Sequence, residues 1–282
     1  MKTHVPKPDW LKIRLGDTED FGKTSALLQS YGLHTICASG KCPNQGECWS
    51  RGTATFMIGG EICTRSCKFC NTQTGRPLPL DQTEGVKLAS VVEKMGLKHV
   101  VLTSVDRDDL PDYGAAHWIE VVGQIKDKNP QVTIEGLIPD FRGESELIER
   151  VAKAQMEVVA HNLETVERLT PVVRSVASYQ TSLRVIERIA RSGKIAKSGL
   201  MVGLGESHQE VVEAMRDLLN VGCQVITLGQ YLQPTRTHYS VAAYVSPDEF
   251  NEYKEEGLSM GFRKVESGPL VRSSYHAEKH LF

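Results

Sequence analysis

The chain has 282 residues, of which 40% are hydrophobic and 24% charged, enough apolar material for one large domain or two small ones. Its formal net charge of −2 offers no bulk attraction to nucleic acid or an anionic membrane, and no apolar run nears the ~20 residues that cross a bilayer. Met1–Trp10 has Lys2, Pro6, Lys7, Pro8 and Asp9 but no apolar stretch; no secretory signal is expected, and the chain is expected in the cytoplasm, where thiols stay reduced.

Residues 1–52 are polar and Gly-rich, with one short helix expected near Ser25–Tyr31. From Thr53 a strand-then-helix alternation begins. Strands are expected at Thr53–Gly59, His99–Ser104, Val132–Ile138, Val158–Asn162, Gly199–Gly203 and Val225–Gln230. Helices are expected at Thr83–Met95, Ala115–Lys128, Glu144–Ala154, Gln209–Asn220 and Pro247–Met260, with one or two more in Glu164–Arg191. Strands apolar at successive positions are buried on both faces, as in a parallel sheet sheathed by helices. Six such β/α units predict a partial TIM-type barrel with an open side, its chemistry on the loops after the strands.

Six of the seven cysteines lie between Cys37 and Cys70. Cys223, at the end of an apolar helix pattern, reads as a small buried hydrophobe. Cys63-Thr-Arg-Ser-Cys67-Lys-Phe-Cys70 follows the first strand as C-x3-C-x2-C. Three thiolates on one loop suit three irons of a cubane and leave the fourth iron open to a substrate. Two other chemistries compete. Zinc takes four ligands, and the nearest histidines, His34 and His99, lack zinc-knuckle spacing. A redox dithiol of Cys67 and Cys70 leaves Cys63 over. Cys37, Cys42 and Cys48 form a second triad, C-x4-C-x5-C, again one ligand short. Disulfides would strand one cysteine in each triad.

C-x3-C-x-aromatic-C, with Phe69 as the aromatic, resembles the signature of the radical S-adenosylmethionine (SAM) superfamily. That resemblance implies that SAM chelates the open iron and is cleaved to a 5′-deoxyadenosyl radical. It implies further SAM contacts from Thr103 and Ser104 to the amino group, from Asn162 and Glu164 to the ribose, and from Arg174 to the carboxylate. Gly199-Leu-Met-Val-Gly-Leu-Gly-Glu206 resembles the segment lining the adenine, with Glu206 as its acid. Plainer roles stand beside these: Asn162 as a helix cap and Glu206 as a first-turn acid.

The upstream C-x4-C-x5-C triad narrows the resemblance to the lipoyl synthases, as do residues 103–111, 198–206, 228–234 and the tail Gly268-Pro-Leu-Val-Arg-Ser-Ser-Tyr-His276. It runs from about residue 8 to about residue 277. It implies two [4Fe–4S] clusters, an auxiliary one on Cys37, Cys42, Cys48 and Ser274 and a SAM-binding one on Cys63, Cys67 and Cys70. The implied reaction inserts two sulfur atoms at C6 and C8 of a protein-bound octanoyl-lysine, with the auxiliary cluster as sulfur source. The implied partners are octanoylated lipoyl carrier domains (2-oxo acid dehydrogenase subunits and the glycine-cleavage H protein), a low-potential electron donor and an iron–sulfur carrier that rebuilds the spent cluster. The chain is expected to divide into an extension over 1–52 that carries the auxiliary-cluster cysteines, the barrel over 53–262 and a tail over 263–282 that closes the site. Asp106, Arg107, Asp108 and Asp109 read equally as a carrier or SAM contact and as a salt-bridged loop; Tyr275 and His276 read as packing groups. A biotin-synthase-like enzyme or a tRNA methylthiolase is the nearest rival, but these lack the serine tail.

Overall fold

The computed structural model describes residues 6–12, 18–50 and 54–281. Met1–Val5, the expected 52/53 boundary and Thr53 of the first expected strand lie outside them. Among the described residues are ten strands: β1 (His34–Thr35), β2 (Thr55–Ile58), β3 (Ile62–Cys63), β4 (Gln73–Thr74), β5 (His99–Ser104), β6 (Thr133–Leu137), β7 (Val158–Ala160), β8 (Ile195–Val202), β9 (Val225–Gln230) and β10 (Lys264–Gly268). Ten α-helices accompany them among the described residues: α1 (Thr18–Ser30), α2 (Ile36–Ser39), α3 (Gln45–Ser50), α4 (Glu84–Lys94), α5 (Ala115–Lys128), α6 (Ser145–Ala152), α7 (Thr170–Val173), α8 (Tyr179–Arg191), α9 (His208–Asn220) and α10 (Pro247–Met260).

The main sheet runs β1-β2-β5-β6-β7-β8-β9-β10; all pairs are parallel except β1 with β2. β1 and β10 are its two edges, so the barrel is partial, as expected. Strands β2, β7 and β9 are buried throughout, the signature of a parallel sheet covered on both faces. Outside, α4, α5, α6, α8, α9 and α10 each pack on the next. Their inward stripes hold Leu88, Val92, Trp118, Ile125, Ile186, Ile189, Met215 and Leu218. Each such burial stabilises the fold by roughly 1.5–3 kcal/mol. Ser207 caps α9 in a reciprocal capping box with Glu210, and Ser246 caps α10 ahead of Pro247.

Elements with an unbroken apolar pattern fall where expected: β5, α5, β9 and α10 match residue for residue. Two differences have physical causes. β8 starts at Ile195, earlier than the expected Gly199, because it contains Lys197, a charge that hides the strand. That side chain is fully buried and neutralised by Glu135 of β6 at 2.5 Å. β10 adds a seventh parallel strand inside the expected tail; Lys264-Val-Glu-Ser-Gly268 buries only Val265 and lacks a strand-like run.

α1, β1, α2 and α3 dock on this frame. Phe21 of α1 stacks on Trp49 of α3 at 5.1 Å, and the Thr24 hydroxyl donates to the Trp49 carbonyl at 3.0 Å. β1 then pairs with Met57 and Phe56 of β2. Thr35 caps α2 through the Ala38 amide, so Cys37 leaves the sheet edge directly into the barrel mouth.

The tail crosses β9 at Gly229. A Cβ there would overlap the Val271 carbonyl oxygen. Gly229→Ala is therefore expected to lower stability by about 1–3 kcal/mol, through displacement of backbone rather than of a flexible side chain. Urea denaturation checks this; an unchanged midpoint would show that the tail does not sit on β9.

Candidate active site

The loop carrying Cys63, Cys67 and Cys70 leaves β2 through Gly59 and Gly60, both in the left-handed region at φ 80° and 97°. Glu84 holds this turn: its buried carboxylate accepts from the Gly59 amide at 2.9 Å and from His117 Nε2 at 2.5 Å. β3 and β4 pair to pinch the loop's base. Between Cys63 and Cys67 stands Arg65, its side chain only 3% exposed. Its guanidinium donates to both oxygens of Asp108 at 2.8 Å and to both of Asp140 at 2.7 and 2.9 Å; Asp106 lies 3.4 Å away. Two bidentate pairs use the planar fork fully. They bolt the loop to the ends of β5 and β6. Further ties are Thr64 N–H to the Asp106 carbonyl (3.1 Å), Lys68 N–H to the Val173 carbonyl (2.8 Å) and His238 Nε2 at 3.0 Å from the Cys70 carbonyl.

The Cys63/Cys67/Cys70 triad and two cysteines of the other triad meet at one cavity of about 380 Å³ at the C-terminal ends of the strands. Cys63, Cys67 and Cys70 line it on one side and Cys37, Cys42 and Ser274 on another. Cys48 lines a second cavity of about 350 Å³ that shares Cys37, Cys42 and Ser274. Cys37, Cys42 and Ser274 thus form a wall between two cavities. Asn44 ties this wall to the tail by donating to the Leu270 carbonyl at 2.7 Å. Among the described residues the Ser274 hydroxyl has no hydrogen-bond partner.

The thiols suit a cluster. Burial pushes Cys42 and Cys70 up from the ordinary thiol range, and Cys63 to about 12 with help from the Asp106 carboxylate. Such thiols ionise when a metal supplies the compensating charge. The donors are soft sulfur, the match for iron–sulfur sites. Among the described residues no three His, Cys, Asp or Glu side chains close on one point as ligands of a single ion do. A cubane instead takes one thiolate at each of separate irons.

Phe69, Thr103, Ser104, Asn162, Glu164 and Arg174 all line the same cavity. Glu164 follows β7 in the left-handed region (φ 71°), a costly conformation for a non-glycine, held by bridging to Leu200 of β8. Burial raises the Glu164 carboxyl, against the pull of Arg174 and a hydrogen bond from Asn162. Arg174 donates to the Ser182 hydroxyl at 2.8 Å and leaves its buried Nε without a partner among the described residues. That orphan donor beside the cavity fits an anionic ligand group.

Glu206 is not brought to the cavity. Its carboxylate accepts from the Gly203 and Leu204 amides and holds the turn after β8, so the glycine-rich segment shapes the wall while its acid stays behind it. Asp106 and Asp108 face inward on Arg65, and Arg107 is buried against Asp109 and the Gly59 and Leu78 carbonyls, so this quartet is a salt-bridged loop, with Asp106 also lining the cavity. Tyr275 and His276 pack on each other and line the second cavity. Cys223 is buried, its thiol donating to the Val225 carbonyl, as expected of a small hydrophobe. Sequence reasoning missed Arg65 and Gln230. Arg65 inside the cysteine loop was the available signal. Gln230 binds the Val202, Tyr231 and Ala243 carbonyls and the Val245 amide, anchoring the loop after β9.

A partial parallel barrel with a three-cysteine loop after its first barrel strand defines a radical SAM enzyme, and residues 57–218 match the radical SAM superfamily model. The solved methylornithine synthase PylB superposes with a TM-score of 0.57 at 13% identity, covering 93% of this chain and 86% of its own, which supports the fold alone. Lipoyl synthase of Phocaeicola vulgatus is 61% identical over 99% of this chain and 98% of its own. Those of Porphyromonas gingivalis and Treponema denticola are each 58% identical over 100% of this chain, covering 100% and 97% of their own lengths. The chain belongs to the lipoyl synthase family, radical SAM enzymes that insert sulfur, with a [4Fe–4S] cluster and SAM as cofactors. No helix among the described residues is long and apolar enough to cross a membrane.

Folding lowers the Asp140 carboxyl from its ordinary 3.8 to about 2: burial opposes this, and the Arg65 guanidinium overcomes it. The stabilisation is therefore complete above about pH 4, is lost as pH falls through about 2, and amounts to about 2 kcal/mol. Asp140→Asn is expected to lose at least that much stability at pH 7. Its deficit against wild type should narrow as pH drops from about 4 toward 2, read from urea midpoints.

Proposed function

We propose that this chain carries two [4Fe–4S] clusters, one on Cys63, Cys67 and Cys70 and an auxiliary one on Cys37, Cys42, Cys48 and Ser274, and inserts two sulfur atoms at C6 and C8 of an octanoyl group on a carrier-protein lysine. The observation that supports the reading is the shared cavity, lined by Cys63, Cys67 and Cys70 together with Cys37, Cys42 and Ser274. C6 and C8 are alkane carbons, beyond the reach of any side-chain base. When bound, the SAM-site cluster supplies the electron that cleaves SAM to a hydrogen-abstracting radical, and the auxiliary cluster supplies the sulfur.

The protein's own residues bind, orient and exclude water. Arg174, whose Nε has no partner among the described residues and whose guanidinium is braced on Ser182, takes the SAM carboxylate. Asn162 and Glu164 take the ribose hydroxyls, and Thr103 and Ser104 flank the amino group. Phe69, Leu137, Met201 and Val271 give the cavity apolar walls, which suit an acyl chain and keep a radical from water. The substrate is presented by a lipoyl carrier domain, of a 2-oxo acid dehydrogenase or a glycine-cleavage H protein. A low-potential donor and an iron–sulfur carrier complete the cycle in the cytoplasm. Nucleic acid and membrane play no part.

The test is anaerobic incubation of reconstituted protein with dithionite, SAM and an octanoyl-lysine peptide. The peptide should exchange two hydrogens for two sulfurs, and the protein should hold about eight irons per chain, as two cubanes require. Cys42→Ala should abolish thiolation while 5′-deoxyadenosine still forms; Cys67→Ala should abolish both. A single-cluster iron count, or thiolation surviving Cys42→Ala, would end the two-cluster reading. Arg174→Gln is expected to weaken SAM binding by roughly 1.5–3 kcal/mol, about tenfold or more, in equilibrium titration.

A further inference from the structure

Beneath the site lies a second buried assembly that the reaction as described leaves unused. Gly136 of β6 faces Trp118 and Met156 on the helix side. Its neighbour Glu135 therefore faces the barrel interior. There it meets Lys197 of β8 at 2.5 Å. His280, in a 3₁₀ turn near the end of the described chain, completes the group, with Nδ1 at 3.0 Å from the ammonium and 3.5 Å from the carboxylate. All three side chains are 0–1% exposed. The third donor of the ammonium goes to the Ser273 carbonyl at 2.6 Å. Ser273 is held at its other end too, its hydroxyl donating to Asn162 Oδ1 at 3.2 Å.

We infer that Lys197 is the positioning residue for Ser274: its ammonium, oriented by Glu135 and His280, fixes the Ser273 carbonyl and so aims the adjoining hydroxyl at the wall of Cys37 and Cys42. A buried charge pair seldom adds stability over an apolar pair, but it does specify geometry. Geometry is what this segment needs. The tail reaches the cavity from a distant part of the chain, and hydroxyl oxygen is a weak partner for iron, unable to order a loose strand by binding alone. The barrel interior sets the ligand in place before the cluster does. A backbone carbonyl is the anchor point, so the device acts whatever side chain stands at position 273.

The inference rests on Ser274 as a cluster ligand, and the test separates the two. The full chain with Cys63, Cys67 and Cys70 changed to Ala carries only the auxiliary cluster. In that background the EPR spectrum of the reduced cluster and the rate of iron loss to a chelator are compared for Ser274→Ala, for the pair Lys197→Met/Glu135→Gln, and for His280→Gln. The pair removes both charges together, leaving neither buried alone. It should shift the spectrum as Ser274→Ala does and lose iron about 10–100-fold faster, while His280→Gln, which keeps the lysine–carbonyl bond, stays closer to wild type. A shift in Ser274→Ala with a wild-type spectrum in the pair overturns the role of Lys197. No shift in Ser274→Ala overturns the ligand itself. If the pair yields no soluble protein, hydrogen exchange on the cluster-free wild-type chain decides: slow amides across 272–277 are expected, and exchange at the rate of a free peptide refutes pre-positioning.

Discussion

A guanidinium buried among three carboxylates holds this site together. Arg65 sits inside the loop that bears Cys63, Cys67 and Cys70, and its two bidentate pairs reach the loops after β5 and β6. Three cysteines within eight residues are otherwise free to point anywhere; one planar, fully used cation converts them into a fixed set. Removing one partner of such a buried pair leaves an uncompensated charge, a loss of roughly 3–5 kcal/mol in comparable cases. The same acids raise the stakes at Cys63: burial pushes the Asp106 carboxyl up to about 6, with the other two aspartates adding to it and Arg65 opposing.

A second buried cation performs the matching task at the other end. Lys197 grips the tail from inside the barrel, as Arg65 grips the cysteine loop from its rim. Between these two anchors the cavity receives one ligand set from the loop after β2, another from the N-terminal extension and a serine from the tail. Three parts of the chain, spread from Cys37 to Ser274, thus share one cavity. Cys63, Cys67 and Cys70 on one side of the cavity face Cys37, Cys42 and Ser274 on another, with Thr103, Asn162 and Arg174 among the residues lining it between them.

Much of this was legible beforehand because its signals are local. Strands β5 and β9 are continuous apolar runs, and helices α5 and α10 carry clean periodicities, α10 with a Ser246 cap, so their bounds are legible directly. The cysteine spacings likewise announce two three-thiol sets. β8 was read short because Lys197 breaks the apolar run, and its partner Glu135 lies on another strand. β10 was missed because only Val265 of its five residues is buried. Glu206 had the right motif, yet its carboxylate serves the turn that the motif makes, a distinction of side-chain direction that spacing does not encode.

By itself the sequence determined the class of chemistry, since soft donors in two incomplete sets suit few cofactors, and it determined the barrel, since hydrophobic period is a local property. Only the tertiary structure decided which groups share a cavity, which acids are spent on Arg65, and that a lysine in the barrel's interior steadies the tail. Those are pairings across long sequence separation between charged residues, and a charge's partner becomes known only when both are buried together.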